Sequence, residues 1–179
     1  MITVSGLPGS GTSTTAELLA ERTGMEILSS GEIFREMAEE RDMSLEEFSD
    51  LAEEDEEIDK KLDKRTIERA EEGMILEGRL TGHLLNMSDK SAFKVWIEAS
   101  LDVRVKRIAD REEVEDLEQL KKRVIKREKS EKKRYRSYYD IDLLDTSIYD
   151  AVLDSEKNRP EEIVDRVMQE VREKDEIYD

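Results

Sequence analysis

Residues 6–13 read Gly6-Leu7-Pro8-Gly9-Ser10-Gly11-Thr12-Ser13, and Thr14 and Thr15 follow. Gly6, Gly11 and Ser13 match the phosphate-loop spacing G-x-x-x-x-G-K-[ST], while Thr12 stands where that pattern has lysine. Glycines let a backbone close around phosphate oxygens, and the N–H groups that open the next helix point at the anion. The spacing therefore predicts a nucleoside triphosphate site at residues 6–15. The threonine predicts that part of the neutralising charge comes from elsewhere in the chain.

Six arginines are candidates for that charge: Arg35, Arg79, Arg107, Arg111, Arg127 and Arg134. Arg107 and Arg111 are four apart and share a helix face. Arg127, Glu131 and Arg134 have i, i+4, i+7 spacing and share another. Taken singly, each arginine reads equally well as one side of a solvated salt bridge. Taken with the loop, they read as a phosphate clamp, because guanidinium stays charged and grips phosphate in a fork. A phosphoryl group in transfer needs such a clamp, since charge spreads over its equatorial oxygens.

These residues need a scaffold. Ile2 to Ser5 suits a buried strand, and Thr14 to Thr23 a helix stopped by Gly24. Met25 to Ser29 reads as a second strand. Ser29 and Glu32, then Ser44 and Glu47, have capping-box spacing and predict two helix starts. Ile58, Leu62, Ile67 and Ala70 mark a further helix ended by Gly73. Met74 to Glu77 and Phe93 to Ala99 read as strands. A helix follows Ser100, a long polar helical stretch runs from about Glu115 to Arg136, and Tyr149 to Leu153 offers a fifth strand. Pro160 opens a last helix expected to fray from Lys174. Alternating strands and helices predict an α/β fold: a five-stranded parallel sheet with helices on both faces. Ligands of such sheets sit at the carboxyl ends of the strands. That rule gathers Gly6–Ser13, Ser29–Gly31, Glu77–Arg79 and Ser100 along one edge.

Composition narrows the chemistry. At 179 residues a single domain is expected. With no cysteine, thiolate chemistry and Cys-based zinc are excluded, and one histidine, His83, cannot build a histidine metal cluster. His83 is read as a loop residue. No apolar run approaches the roughly 18 residues of a membrane span, and a cytoplasmic chain is expected. The chain has 47 acidic and 30 basic residues, net −17. Lys121 to Arg136 runs against that trend with ten bases and two acids. Glu36 to Asp59 holds thirteen acids and one base, and is read as a solvated surface. Such a surface suits a salt-rich environment, where counter-ions screen self-repulsion.

The chain resembles the nucleoside monophosphate kinases, and within them the archaeal-type cytidylate kinases. The resemblance is carried by residues 6–15, Ser29-Ser30-Gly31-Glu32-Ile33-Phe34-Arg35, Leu76-Glu77-Gly78-Arg79-Leu80-Thr81-Gly82, the Arg107/Arg111 pair, and Arg127, Glu131, Arg134 and Tyr135. It implies a core (1–29, 66–110, 137–179), an acceptor-binding insert (30–65) and a mobile lid (111–136). It implies that Ser30, Arg35 and Arg79 contact the acceptor nucleotide. Arg107 and Arg111 would border the donor adenine and phosphates. Arg127 and Arg134 would close with the lid, and Glu131 would face the acceptor; related bacterial enzymes carry aspartate there, so its partner is open. The implied reaction passes the γ-phosphoryl group of ATP to CMP or dCMP by direct in-line transfer. Mg²⁺ would be held by Ser13, with Glu77 acting through water. A monomer with small-molecule substrates is expected, with neither nucleic acid nor membrane as partner.

Other readings stay open. The acceptor could be AMP, UMP or a small alcohol such as shikimate, although Glu77-Gly78-Arg79 differs from the Gly-Phe-Pro-Arg of adenylate and uridylate kinases. A slow regulatory ATPase would be expected to carry a clear Walker-B aspartate and a water-positioning residue, and neither is evident in the sequence. Nucleic-acid binding through residues 121–136 is disfavoured by the net charge and the scarcity of aromatics there.

Overall fold

A computed structural model describes residues 1–178 of the chain, with side chains through Lys174. The strands are β1 (Ile2–Gly6), β2 (Glu26–Ser29), β3 (Met74–Glu77), β4 (Phe93–Glu98) and β5 (Ala151–Asp154). All pair in parallel, in the order β2-β3-β1-β4-β5. β1 is central and buried throughout, with Ile2 opposite Ile75 on one side and Phe93 on the other. A strand covered on both faces is predominantly apolar, as Ile2-Thr3-Val4 and Phe93 to Ile97 show.

The helices are α1 (Thr12–Thr23), α2 (Ser30–Glu39), α3 (Leu45–Glu54), α4 (Glu56–Arg69), α5 (Thr81–Asn86), α6 (Leu101–Glu112), α7 (Leu117–Tyr139) and α8 (Pro160–Tyr178). Leu19 of α1 and Ile163, Val164 and Val167 of α8 pack on Val4, Ile75, Val95 and Ile97. Strand side chains alternate faces, so Trp96 points the other way. It joins Leu80, Leu84, Tyr135, Leu143 and Tyr149 in a second cluster. Helices α2, α3 and α4 enclose their own small core of Ile33, Met37, Phe48 and Ile58. Helices α6 and α7 pack through Val105, Ile108, Leu120 and Val124.

Several local expectations change. The Ser44–Glu47 capping box forms in both directions. The Ser29–Glu32 box does not: the Ser29 hydroxyl donates instead to Glu77, at 2.9 Å. α5 and a 3₁₀ turn at Thr146–Ile148 were not expected from sequence. β5 starts at Ala151, because Tyr149 is drawn into the second cluster. Helix α8 spans Pro160–Tyr178. His83 lies within α5, not in a loop, and is buried edge-on to Tyr149 with 5.7 Å between ring centroids. Burial holds its imidazole below the ordinary histidine range.

Candidate active site

The phosphate loop connects β1 to α1. Within it, Ser10 N–H donates to Leu7 O, and Thr15 donates to Gly11 O through both its N–H and its hydroxyl. No side chain caps α1, so its first N–H groups are free to meet an anion. Gly9 has φ of 81°, and a Cβ there would sit 2.6 Å from the Arg104 carbonyl oxygen. Only glycine satisfies both constraints.

Two arginines of α6 brace the loop from outside. Arg107 donates through Nη1 to Gly9 O and Ser10 O, each 3.3 Å, and to the Ser155 hydroxyl at 2.8 Å. Its Nη2 donates to Ser155 O, also at 2.8 Å. Arg104, which sequence reasoning missed, is buried. It donates to Ala99 O and Pro8 O and forms an ion pair with Glu128 of α7. One guanidinium thus ties the loop, α6 and α7 together. Removing one partner of a buried ion pair costs on the order of 3–5 kcal/mol, because the other charge is left unpaired. Its place three after Leu101 and four before Ile108, on the apolar face of α6, was the available signal.

Glu77 ends β3 beside the loop and accepts three hydroxyls. Thr12 Oγ1 lies 2.7 Å and Ser13 Oγ 3.3 Å from Oε1, and Ser29 Oγ lies 2.9 Å from Oε2. The residue at the lysine position therefore serves this carboxylate. A carboxylate beside a loop hydroxyl is an all-oxygen donor set of the kind hard divalent cations prefer.

Two residues beyond Glu77, Arg79 turns toward α7. Its Nη1 lies 2.5 Å from Glu131 Oε1, which also accepts Arg127 Nε at 3.0 Å. Glu131 is 2% exposed, and its Oε2 is buried without a partner among the described residues. One turn further along α7, Arg134 donates through Nε to Asp59 Oδ2 and through Nη1 to Ser130 Oγ, both at 2.7 Å. The structure thus brings Arg79, Arg127, Glu131 and Arg134 together. Ser30 of α2 lies against Thr66 and Gly78: its hydroxyl is 3.4 Å from that of Thr66, and a Cβ on Gly78 would come within 2.7 Å of it.

The other two predicted arginines are less engaged. Arg35 is exposed on α2 and forms no ion pair among the described residues. Arg111 is exposed and pairs with its neighbour Glu112. The solvated reading of the acidic run fails at Asp59, which is 5% exposed. Asp59, Asp63 and Thr66 line one buried face of α4, and Tyr139 of α7 donates to Asp63 at 2.7 Å. Their i, i+4, i+7 spacing was the available signal, hidden among the surrounding acids. Burial raises the Asp59 carboxyl above its ordinary range against the pull of Arg134, and pushes Asp63 up to about 7.

A central parallel sheet, a phosphate loop after its first strand and an arginine cluster at the same edge define the P-loop kinase fold. Solved structures agree on the fold. A shikimate kinase from Acinetobacter baumannii superposes with a TM-score of 0.60 at 15% identity, over 97% of this chain and 93% of that one. A gluconokinase from Sinorhizobium meliloti gives 0.60 at 16%, over 99% and 94%. Sequence relatives are more specific. The cytidylate kinase of Methanosarcina mazei is 53% identical over 158 residues, 87% of each chain. That of Halorubrum lacusprofundi is 49% identical over 167 residues, covering 92% of this chain and 85% of that one. The cytidylate kinase-like family profile matches residues 1–157. The chain belongs to the cytidylate kinase-like family.

Proposed function

We propose that this chain transfers the γ-phosphoryl group of ATP to CMP or dCMP, giving ADP and CDP or dCDP. The observation that carries the reading is the family membership, joined to a loop and an arginine cluster meeting at Glu77-Gly78-Arg79. The loop N–H groups hold the donor phosphates, and Arg107 and Arg111 border the donor. Ser30, Arg35 and Arg79 hold the acceptor. The partnerless Oε2 of Glu131 suits a donated hydrogen bond from the acceptor, such as a sugar hydroxyl. Arg127 and Arg134 face the group in transfer.

Transfer is direct and in line. The acceptor phosphate oxygen is already ionised, so no general base is needed, and catalysis is positioning and charge neutralisation. Ser13 and Glu77 fit Mg²⁺, the serine as a direct ligand and the carboxylate through water. Bound there, the ion would neutralise donor phosphate charge. Residues 30–65 act as the acceptor-binding insert and 111–136 as the lid; the small core of their own that α2–α4 enclose supports the first of these. Closure of the lid excludes water that would otherwise hydrolyse ATP. Among the described residues no helix is long and apolar enough to cross a membrane. The same reading takes the chain to be a cytoplasmic monomer.

The test is ADP formation from ATP and Mg²⁺ with CMP, dCMP, UMP, AMP or no acceptor. CMP and dCMP are expected to support rates far above the others. Equal ADP release without acceptor would replace this reading with a slow ATPase, and a preference for AMP or UMP would move the acceptor.

A further inference from the structure

Asp59 lies outside every role described so far, yet it is among the least exposed acids in the chain. Its carboxylate takes Nε of Arg134, and the two side chains are 7% and 14% exposed. Ser130 Oγ, one turn earlier on α7, takes Nη1. Nη2 has no partner among the described residues. The guanidinium is therefore fixed from two sides and open at one end. That open end leaves two N–H donors with which the guanidinium can meet an anion.

The holder of Arg134 is also informative. Asp59 stands on α4, and Thr66, two turns on, faces the Ser30 hydroxyl. Between them Asp63 accepts from Tyr139 at the end of α7. One face of α4 thus touches both the acceptor-side serine and the arginine of the long helix.

We propose that Asp59 is a positioning residue: it grips Arg134 through Nε so that Nη2 meets the group in transfer, and it makes that presentation depend on where α4 sits. The inference rests on the phosphoryl-transfer reading, with Arg134 in the clamp. Asp59 touches no substrate. It sets the direction of a group that does, and misplacement by about 1 Å can cost a hundredfold in rate.

Steady-state kinetics with ATP and CMP test it on the wild type, Asp59→Asn, Asp59→Ala, Arg134→Ala and the Asp59→Ala/Arg134→Ala double variant, each checked by circular dichroism. Wild type without CMP-dependent turnover would refute the functional reading itself. With an active wild type, Asp59→Ala is expected to lower kcat on the order of 100-fold and Asp59→Asn on the order of tenfold, with KM for ATP within about threefold. Added to Arg134→Ala, the Asp59→Ala change is expected to cost nothing further. Losses that multiply would show that Asp59 acts apart from Arg134 and overturn the proposal. So would an unchanged kcat, or a higher one, which would mark Asp59 as a lock. If Asp59→Ala fails to fold, Asp59→Asn, which keeps an acceptor in place, is carried through the same cycle.

Discussion

Thr12 donates to Glu77 at 2.7 Å, so position 12 belongs to the carboxylate as much as to the loop. In the sequence the missing lysine looked like a deficit of charge to be filled by arginines. The structure adds that a lysine here would stand beside an acid, and its ammonium would pair with it. Thr12→Lys is thus expected to tie up Glu77 and raise the Mg²⁺ concentration giving half-maximal rate, on the order of tenfold, or about 1.4 kcal/mol. Initial rates over a Mg²⁺ titration decide it, and an unshifted titration would detach Glu77 from the metal. Motif spacing made the loop legible, and it grouped Arg127, Glu131 and Arg134 correctly on one helix face. It could not show that Glu131 gathers Arg79 as well, because that contact joins residues 52 apart in sequence. For Asp59 and Arg104 it offered only a helix-face position, and which partner each charge meets is decided by the neighbouring elements.

Helices α4 and α7 meet through polar groups, and their contact carries a pH dependence. Burial pushes the Asp63 carboxyl up to about 7; the hydrogen bond from Tyr139 opposes this and the Asp59 charge adds to it. An unfolded aspartate titrates near 3.9, so between about pH 4 and 7 the folded chain holds a proton that the unfolded chain releases. The stability from the neutral carboxyl is therefore full below about pH 4 and lost as pH rises through about 7. Asp63→Asn stays neutral, so its thermal midpoint is expected to exceed that of wild type by a few °C at pH 8, with the gap narrowing toward pH 5. A gap constant across that range would contradict the assignment. The same scale shows why two capping boxes had different fates. Ser44 has no tertiary partner and caps its own helix, whereas Ser29 is taken by Glu77 from another strand. Short elements escaped for a different reason: the six residues of α5 complete fewer than two turns and cannot display a helical period.

The whole molecule carries net −17, and ten of its 30 basic residues lie on one helix, α7. Self-repulsion of that size is relieved by counter-ions, so the thermal midpoint is expected to rise by a few °C from about 0.1 M to about 1 M KCl. A midpoint that stays level or falls would show that ion pairs such as Glu40–Arg65 and Glu36–Arg69 outweigh the net charge. The sheet was legible from alternating strands and helices, but not its order, which depends on pairings between distant segments. That order has a consequence for how the chain is made. Of the five strands of this sheet, the middle one leaves the ribosome before the others, and its neighbours are residues 74–77 and 93–98. Until β4 has been synthesised, β1 has at least one open edge, and the phosphate loop hangs from an unfinished sheet. Closing such long loops is slow relative to local helix formation. The nascent chain thus passes through a period in which α2 to α4 can already pack on one another while the catalytic edge does not yet exist.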